Sequence, residues 1–274
     1  MDVREAIFLG IVQGLTEFLP VSSSGHLAIA QHYLQNFNQP GVLFDVLLHL
    51  GTLLAIIIYF RREIFSIFTS LLPKPQGVLD PREEAARKAQ RNLAFFIVVG
   101  SLPAAGVGLG FEQQLIKLFS SILLVGAMLM VTGTALFLAE SIPQSAPGKR
   151  QIGTGNALII GLAQACAIIP GLSRSGLTIA TALLRGIEGE AAVRFSFLLS
   201  IPAILGAVAL SCKDLDQIPA GEIWAYVAGS LTAVIIGLAS LWLLQKMVRL
   251  RRLRLFAYYC WVVGATVLVI ALLS

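Results

Sequence analysis

Charge is scarce in this 274-residue chain: 13% of its residues are Asp, Glu, Lys or Arg, against about 25% in an ordinary soluble domain. That deficit excludes a water-soluble globular domain, and the lack of any long polar block excludes a second, soluble one. Cysteine is sparse as well. Cys166, Cys212 and Cys260 lie far apart in or beside apolar segments and form no CxxC or Cys/His spacing, which excludes a zinc or redox motif. The N-terminal stretch carries Asp2 and Glu5, and Gln13 and Glu17 interrupt its apolar run, so it does not have the pattern of a cleaved signal peptide. A net charge of +5 does not point to nucleic acid, because the basic residues sit in loops beside apolar runs, where they set topology.

What the chain has in abundance is hydrophobic residues, 57% of the total, with a mean hydropathy of +0.83. Residues 42–60, 93–110, 122–139, 195–211, 223–244 and 256–273 are each about long enough to cross a bilayer of roughly 30 Å. They predict six full transmembrane helices in one all-α polytopic membrane domain, 1–274. Two further segments are broken in the middle: 6–34 by Pro20 and the run Ser22 to Gly25, and 157–184 by Pro170, Gly171 and the run Ser173 to Gly176. Each half holds about 11 to 14 residues, roughly 16 to 21 Å of helix, which is too short to span. They predict two re-entrant pairs of half-helices.

Basic residues test this topology. With the stretch 61–91 (Arg61, Arg62, Lys74, Arg82, Arg87, Lys88, Arg91) inside, 111–121 falls outside and Lys149 and Arg150 return inside. A re-entrant second segment then keeps Arg185 and Arg194 inside, the acidic loop of Asp214, Asp216 and Glu222 outside, and Lys246 to Arg254 inside. Counting 157–184 as a full crossing would send that last basic cluster outside. The N- and C-termini are predicted on the outer side, so one hairpin dips from each face.

A constant offset of 151 residues pairs Gly10, Gln13, Ser22, Ser24 and Gly25 with Gly161, Gln164, Ser173, Ser175 and Gly176. It continues through Val42, Phe44, Leu47, Leu48 and Leu54, which fall on Val193, Phe195, Leu198, Leu199 and Leu205. Each copy, about 1–140 and about 152–274, contains one re-entrant pair and three crossings. An odd number of crossings inverts the second copy, giving an inverted-topology repeat.

In such folds the site lies where the broken helices meet, because unwound backbone at membrane depth is tolerated only when buried or lining a polar cavity. Two half-helix N-termini aimed at one centre suit an anion, especially phosphate. Arg174 at that depth needs an anionic partner. It serves either as a phosphate clamp or as a buried tie to Glu17 that locks the hairpins. Glu17 shares a helical face with Gln13, and beside a phosphate it would bind a divalent cation, carry a proton or act as a base. His26 lies within one turn of Ser22 and Ser23, so imidazole and hydroxyl form a candidate base and nucleophile, with direct attack by His26 as the alternative. Ser22, Ser23 and Ser24 also suit helix capping. His49 and Asp45 in the first full span read as interhelical hydrogen bonds or as partners one step removed from the site. Tyr33, Tyr59, Trp224, Tyr226, Tyr258 and Tyr259 read as interfacial anchors.

The segments QGLTEFLPVSSSGH (Gln13 to His26) and PGLSRSGLT (Pro170 to Thr178) resemble the two signature motifs of the undecaprenyl pyrophosphate phosphatase family, the bacitracin-resistance phosphatases of bacteria. FDVLLHLGTLLA and RFSFLLSIPA resemble further family blocks, and the similarity covers nearly the whole chain. The resemblance implies a multi-pass enzyme of the bacterial cell membrane that removes the terminal phosphate of a polyprenyl pyrophosphate, recycling the carrier lipid of peptidoglycan synthesis. By resemblance, Glu17, Ser23, His26 and Arg174 are catalytic. Ser22, Ser24, Gly25, Gly171, Ser173, Ser175, Gly176 and Thr178 bind substrate. Glu17 and Gln13 hold a divalent cation, Mg²⁺ or Ca²⁺, although Gln13 stands where a second carboxylate could be. The competing class is a secondary transporter or flippase for a lipid phosphate, which needs the same anion site but no nucleophile beside a base. A structural scaffold is a third class, in which Glu17 and Arg174 only tie helices. The predicted partners are the lipid substrate, the bilayer and, as an open alternative, a second copy of the chain, with no nucleic acid.

Overall fold

A computed structural model describes residues 1–33, 43–73, 80–110, 118, 121–141, 151–211 and 220–273; within these the chain is helical and contains no strand. The helices are α1 (Val3–Thr16), α2 (Ser23–Tyr33), α3 (Leu43–Tyr59), α4 (Arg61–Leu71), α5 (Pro81–Gly110) and α6 (Ile122–Ser141), followed by α7 (Thr154–Cys166), α8 (Arg174–Leu184), α9 (Gly189–Ser211), α10 (Ile223–Arg249) and α11 (Arg254–Leu273). Among the described residues α5, α6, α9, α10 and α11 are each long and apolar enough to cross a membrane. A sixth span is present if α3 and α4, bent by 76° at their junction, count as one. This is a multi-pass membrane protein. The six predicted spans fall on α3, α5, α6, α9, α10 and α11.

Both predicted breaks interrupt helix where the sequence places them, between α1 and α2 and between α7 and α8. The four flanking helices have 14, 11, 13 and 11 residues. Each break contains a residue in the left-handed region, Ser22 at φ 71° and Gly171 at φ 90°. Only glycine fits at 171, because a Cβ there would lie 2.5 Å from the Val125 carbonyl oxygen on α6.

One prediction is corrected here. The basic stretch 61–91 is not a loop: α4 and the first turns of α5 fill its described part and pack on each other. Arg91 Nε donates to the Ser70 carbonyl at 2.6 Å, and Arg87 donates to the carbonyls of Thr69, Ser70, Leu72 and Pro73. Two arginines thus satisfy carbonyls at the C-terminal end of α4 that would otherwise lack partners. Lys74, Lys117, Lys149, Arg150, Cys212, Asp214 and Asp216 lie outside the described residues.

Close backbone approach fixes the packing around the breaks. α1 lies along α10, with Gly10 against Gly229, and α7 lies along α5, with Gly161 against Gly100. α6 and α11 form a third pair, and α3 and α9 pack on each other. Gly25 of the first break rests 3.2 Å from Gly171 Cα of the second, measured from an added Cβ, and both lean on Val125 of α6. The two breaks therefore meet inside the helix bundle.

Candidate functional site

Glu17 follows the last residue of α1, its backbone N–H donating to the Gln13 carbonyl at 2.9 Å. Its side chain is 4% exposed. Four side chains converge on this carboxylate from three parts of the chain. Oε2 accepts from Ser23 Oγ at 2.5 Å and from Gln13 Nε2 at 3.1 Å, and His49 Nε2 lies 3.4 Å away. Oε1 is paired with Arg174 Nη2 from the second break. An ionised carboxylate this buried is sustained only by charge and hydrogen bonds, and here it receives both.

The two serine runs are capped alike. Gly25 N–H donates to Ser22 Oγ at 3.3 Å, and Gly176 N–H donates to Ser173 Oγ at 3.0 Å. The hydroxyl pairs Ser22/Ser24 and Ser173/Ser175 lie 3.3 and 3.2 Å apart. The offset of 151 residues thus carries hydrogen bonds as well as residue types. Capping occupies Ser22 and Ser173, while Ser23 and Arg174, the residues that differ between the halves, turn to Glu17. Thr178 Oγ1 donates to the Arg174 carbonyl at 2.7 Å, so its hydroxyl serves its own helix.

His26 is not brought to Ser23. Its Nδ1 lies 2.8 Å from the Ser22 carbonyl and its Nε2 lies 2.8 Å from Tyr259 Oη on α11. The base within reach of the Ser23 hydroxyl is Glu17.

Three further residues belong to this constellation: His49 and Tyr259, to which the sequence assigns other roles, and Thr132. His49 contacts Glu17 directly; the signal was a polar stripe on an apolar helix, Asp45, His49 and Thr52, at spacings of four and three. Tyr259 is also the partner of His26, whereas Tyr226 is buried against Phe44 with ring centroids 5.0 Å apart. Thr132 of α6, fully buried, donates to the Gly171 carbonyl and accepts from the Ser173 N–H, both at 3.1 Å. Nothing in the sequence marks Thr132 or pairs Tyr259 with His26, since each acts through a neighbour distant in the chain.

The donor set can be tested against a hard divalent cation. Gln13 Oε1 is a buried carbonyl oxygen with no partner, next to Glu17. Carboxylate and amide oxygens suit Mg²⁺ or Ca²⁺, which complete their shells with water or ligand phosphate. Among the described residues no group of three or more His, Cys, Asp and Glu is placed to hold a metal ion. A cation here would therefore depend on oxygens from its ligand.

The family described as Bacitracin resistance protein BacA matches residues 6–266. The chain belongs to the BacA family. It is similar to the undecaprenyl-diphosphatase of Syntrophotalea carbinolica, 46% identical over 264 residues (96% of this chain and 97% of that one). Those of Desulforapulum autotrophicum (45% over 267 residues, 96% of each chain) and Methanobrevibacter smithii (43% over 271 residues, 97% of each) are similar. The BacA match spans both breaks and every residue around Glu17.

Proposed function

We infer that this protein is an undecaprenyl-diphosphate phosphatase: a multi-pass membrane enzyme that converts undecaprenyl pyrophosphate to undecaprenyl phosphate and inorganic phosphate, so restoring the carrier lipid used in cell-wall synthesis and conferring bacitracin resistance. The observation that carries the chemistry is one buried carboxylate, Glu17, bonded at one oxygen to the Ser23 hydroxyl and at the other to Arg174 from the opposite break. A lipid carrier alone needs no hydroxyl paired with a base.

Arg174 and the N-terminal amides of α2 and α8 hold the pyrophosphate, the guanidinium turning from Glu17 to phosphate oxygens. Ser23 Oγ attacks the terminal phosphorus and gives its proton to Glu17 Oε2; the O–P bond forms as the bridging P–O bond breaks and undecaprenyl phosphate departs. Water then attacks the phosphoserine, its proton passes to His26 and from there to bulk water, Glu17 returns the first proton to Ser23 Oγ, and inorganic phosphate leaves. Ser22, Ser24, Gly25, Gly171, Ser173, Ser175, Gly176 and Thr178 shape the backbone that presents these groups. A Mg²⁺ or Ca²⁺ ion would be held by Glu17 and Gln13 Oε1 with substrate oxygens. When bound it would supply neutralisation of phosphate charge.

The same reading makes the chain one membrane domain of two inverted repeats, about 1–140 and about 152–274, with six crossings and two re-entrant pairs. In its support, α1 packs on α10 as α7 packs on α5, and α3 packs on α10 as α9 packs on α5. Charge placement puts both termini on the outer side of the cell membrane.

The test is phosphate release from a long-chain prenyl pyrophosphate by detergent-purified protein, with and without a chelator, for wild type and Glu17→Ala, His26→Ala and Arg174→Ala. Chelator-sensitive release lost in all three variants is the expected result. Saturable lipid binding by well-folded wild type without release overturns the reading in favour of a carrier.

A further inference from the structure

His26 Nδ1 faces a carbonyl, which can only accept, so Nδ1 carries a hydrogen and Nε2 carries the lone pair in the neutral ring. The Tyr259 hydroxyl is therefore the donor in the 2.8 Å contact with Nε2. The rings are also stacked, with centroids 5.6 Å apart and planes 13° from parallel. α11 is itself anchored to the first break one residue further on: Cys260 is fully buried, and its Sγ donates to the Pro20 carbonyl at 3.7 Å. Glycines fix the helix behind, since a Cβ at Gly264 would lie 2.8 Å from the Gly126 carbonyl oxygen on α6. Tyr259 thus stands at a fixed height beside His26, and its hydroxyl donates to Nε2.

We propose that Tyr259 is a positioning residue, whose hydroxyl holds His26 in one ring orientation with Nε2 as the proton-accepting nitrogen. Resting on the phosphatase reading above, the proposal assigns the second half-reaction to this pair. The attacking water enters between the tyrosine hydroxyl and Nε2, accepting from the one and donating to the other. Its oxygen bonds to phosphorus, its proton goes to Nε2, and the bond from phosphorus to Ser23 Oγ breaks. Two acceptors then serve two different protons, Glu17 the serine's and His26 the water's, which explains why His26 is not bonded to Ser23 in this arrangement.

Tyr259→Phe isolates the hydroxyl, because it keeps the ring and its stack. Two readouts are needed: steady-state phosphate release from farnesyl pyrophosphate, and nitrogen NMR shifts of ¹⁵N-histidine-labelled protein in micelles, which report which imidazole nitrogen carries hydrogen. The expected result is a kcat lowered on the order of tenfold, with KM and melting temperature unchanged and the His26 Nε2 shift moved from its wild-type position. Wild-type kcat in Tyr259→Phe overturns the proposal, and so do unchanged His26 shifts. Should wild type release no phosphate, the phosphatase reading fails, and the NMR comparison still decides the Tyr259 contact.

Discussion

Removing Arg174 leaves Glu17 at the centre of the bundle with its side chain 4% exposed and no permanently charged partner: Ser23 and Gln13 are uncharged, and His49 carries charge only when protonated. Breaking one side of a buried ion pair costs about 3–5 kcal/mol, because the surviving charge loses its counter-ion without regaining water. For a chain of this size that is a fall in melting temperature of roughly 10 °C. Arg174→Ala is therefore expected to melt well below wild type in a fluorescence-detected thermal scan of detergent-solubilised protein. The double variant Glu17→Gln, Arg174→Met removes both charges and is expected to recover most of that loss, since a buried pair replaced by neutral groups of similar volume is often harmless to stability. Its phosphate release stays abolished. Two outcomes refute this reasoning: Arg174→Ala melting with wild type shows that Glu17 does not depend on the guanidinium, and phosphate release by the double variant shows that the pair only ties helices together.

Three further outcomes follow from the geometry. Ser23→Ala is expected to lose phosphate release by about three orders of magnitude or more, with stability lowered by about 1.5–3 kcal/mol for the lost hydrogen bond to a buried carboxylate; near-normal turnover in Ser23→Ala alongside loss in His26→Ala moves the attack to His26. Thr132→Val keeps the shape but strands the Gly171 carbonyl and the Ser173 N–H, a cost of about 1–3 kcal/mol that Thr132→Ser recovers, read by thermal stability. Gly161→Ala would press a methyl against Gly100, with its Cβ overlapping the carbonyl oxygen and lying 2.8 and 2.9 Å from C and Cα. It is expected to destabilise by about 1–3 kcal/mol, whereas Gly106→Ala, with nothing within 4 Å of an added Cβ, stabilises by up to about 1 kcal/mol.

The helices were legible because bilayer length and breaker residues are local properties. Pro20, Pro170 and the serine-glycine runs interrupt α1/α2 and α7/α8 where expected, and six apolar runs coincide with six helices. Glu17, Ser23 and Arg174 were legible as polar groups too costly at that depth to be idle. Charge density alone does not distinguish a loop from a one-sided helix in the stretch 61–91, where α4 packs on α5 and Arg87 and Arg91 pin its last turn.

The sequence by itself determined that this is a multi-pass helical membrane protein, where its helices break, and which residue types stand at the breaks. These follow from hydropathy, backbone stereochemistry and spacing along one chain. Only the tertiary structure decided that Glu17 rather than His26 receives the Ser23 hydroxyl, that His49 joins it, and that Thr132 and Tyr259 hold the second break and the histidine. Those pairings depend on the rotation and height of one helix against another. Contacts such as Gly10 on Gly229 and Gly161 on Gly100 set these, and they exist only once residues far apart in sequence have packed.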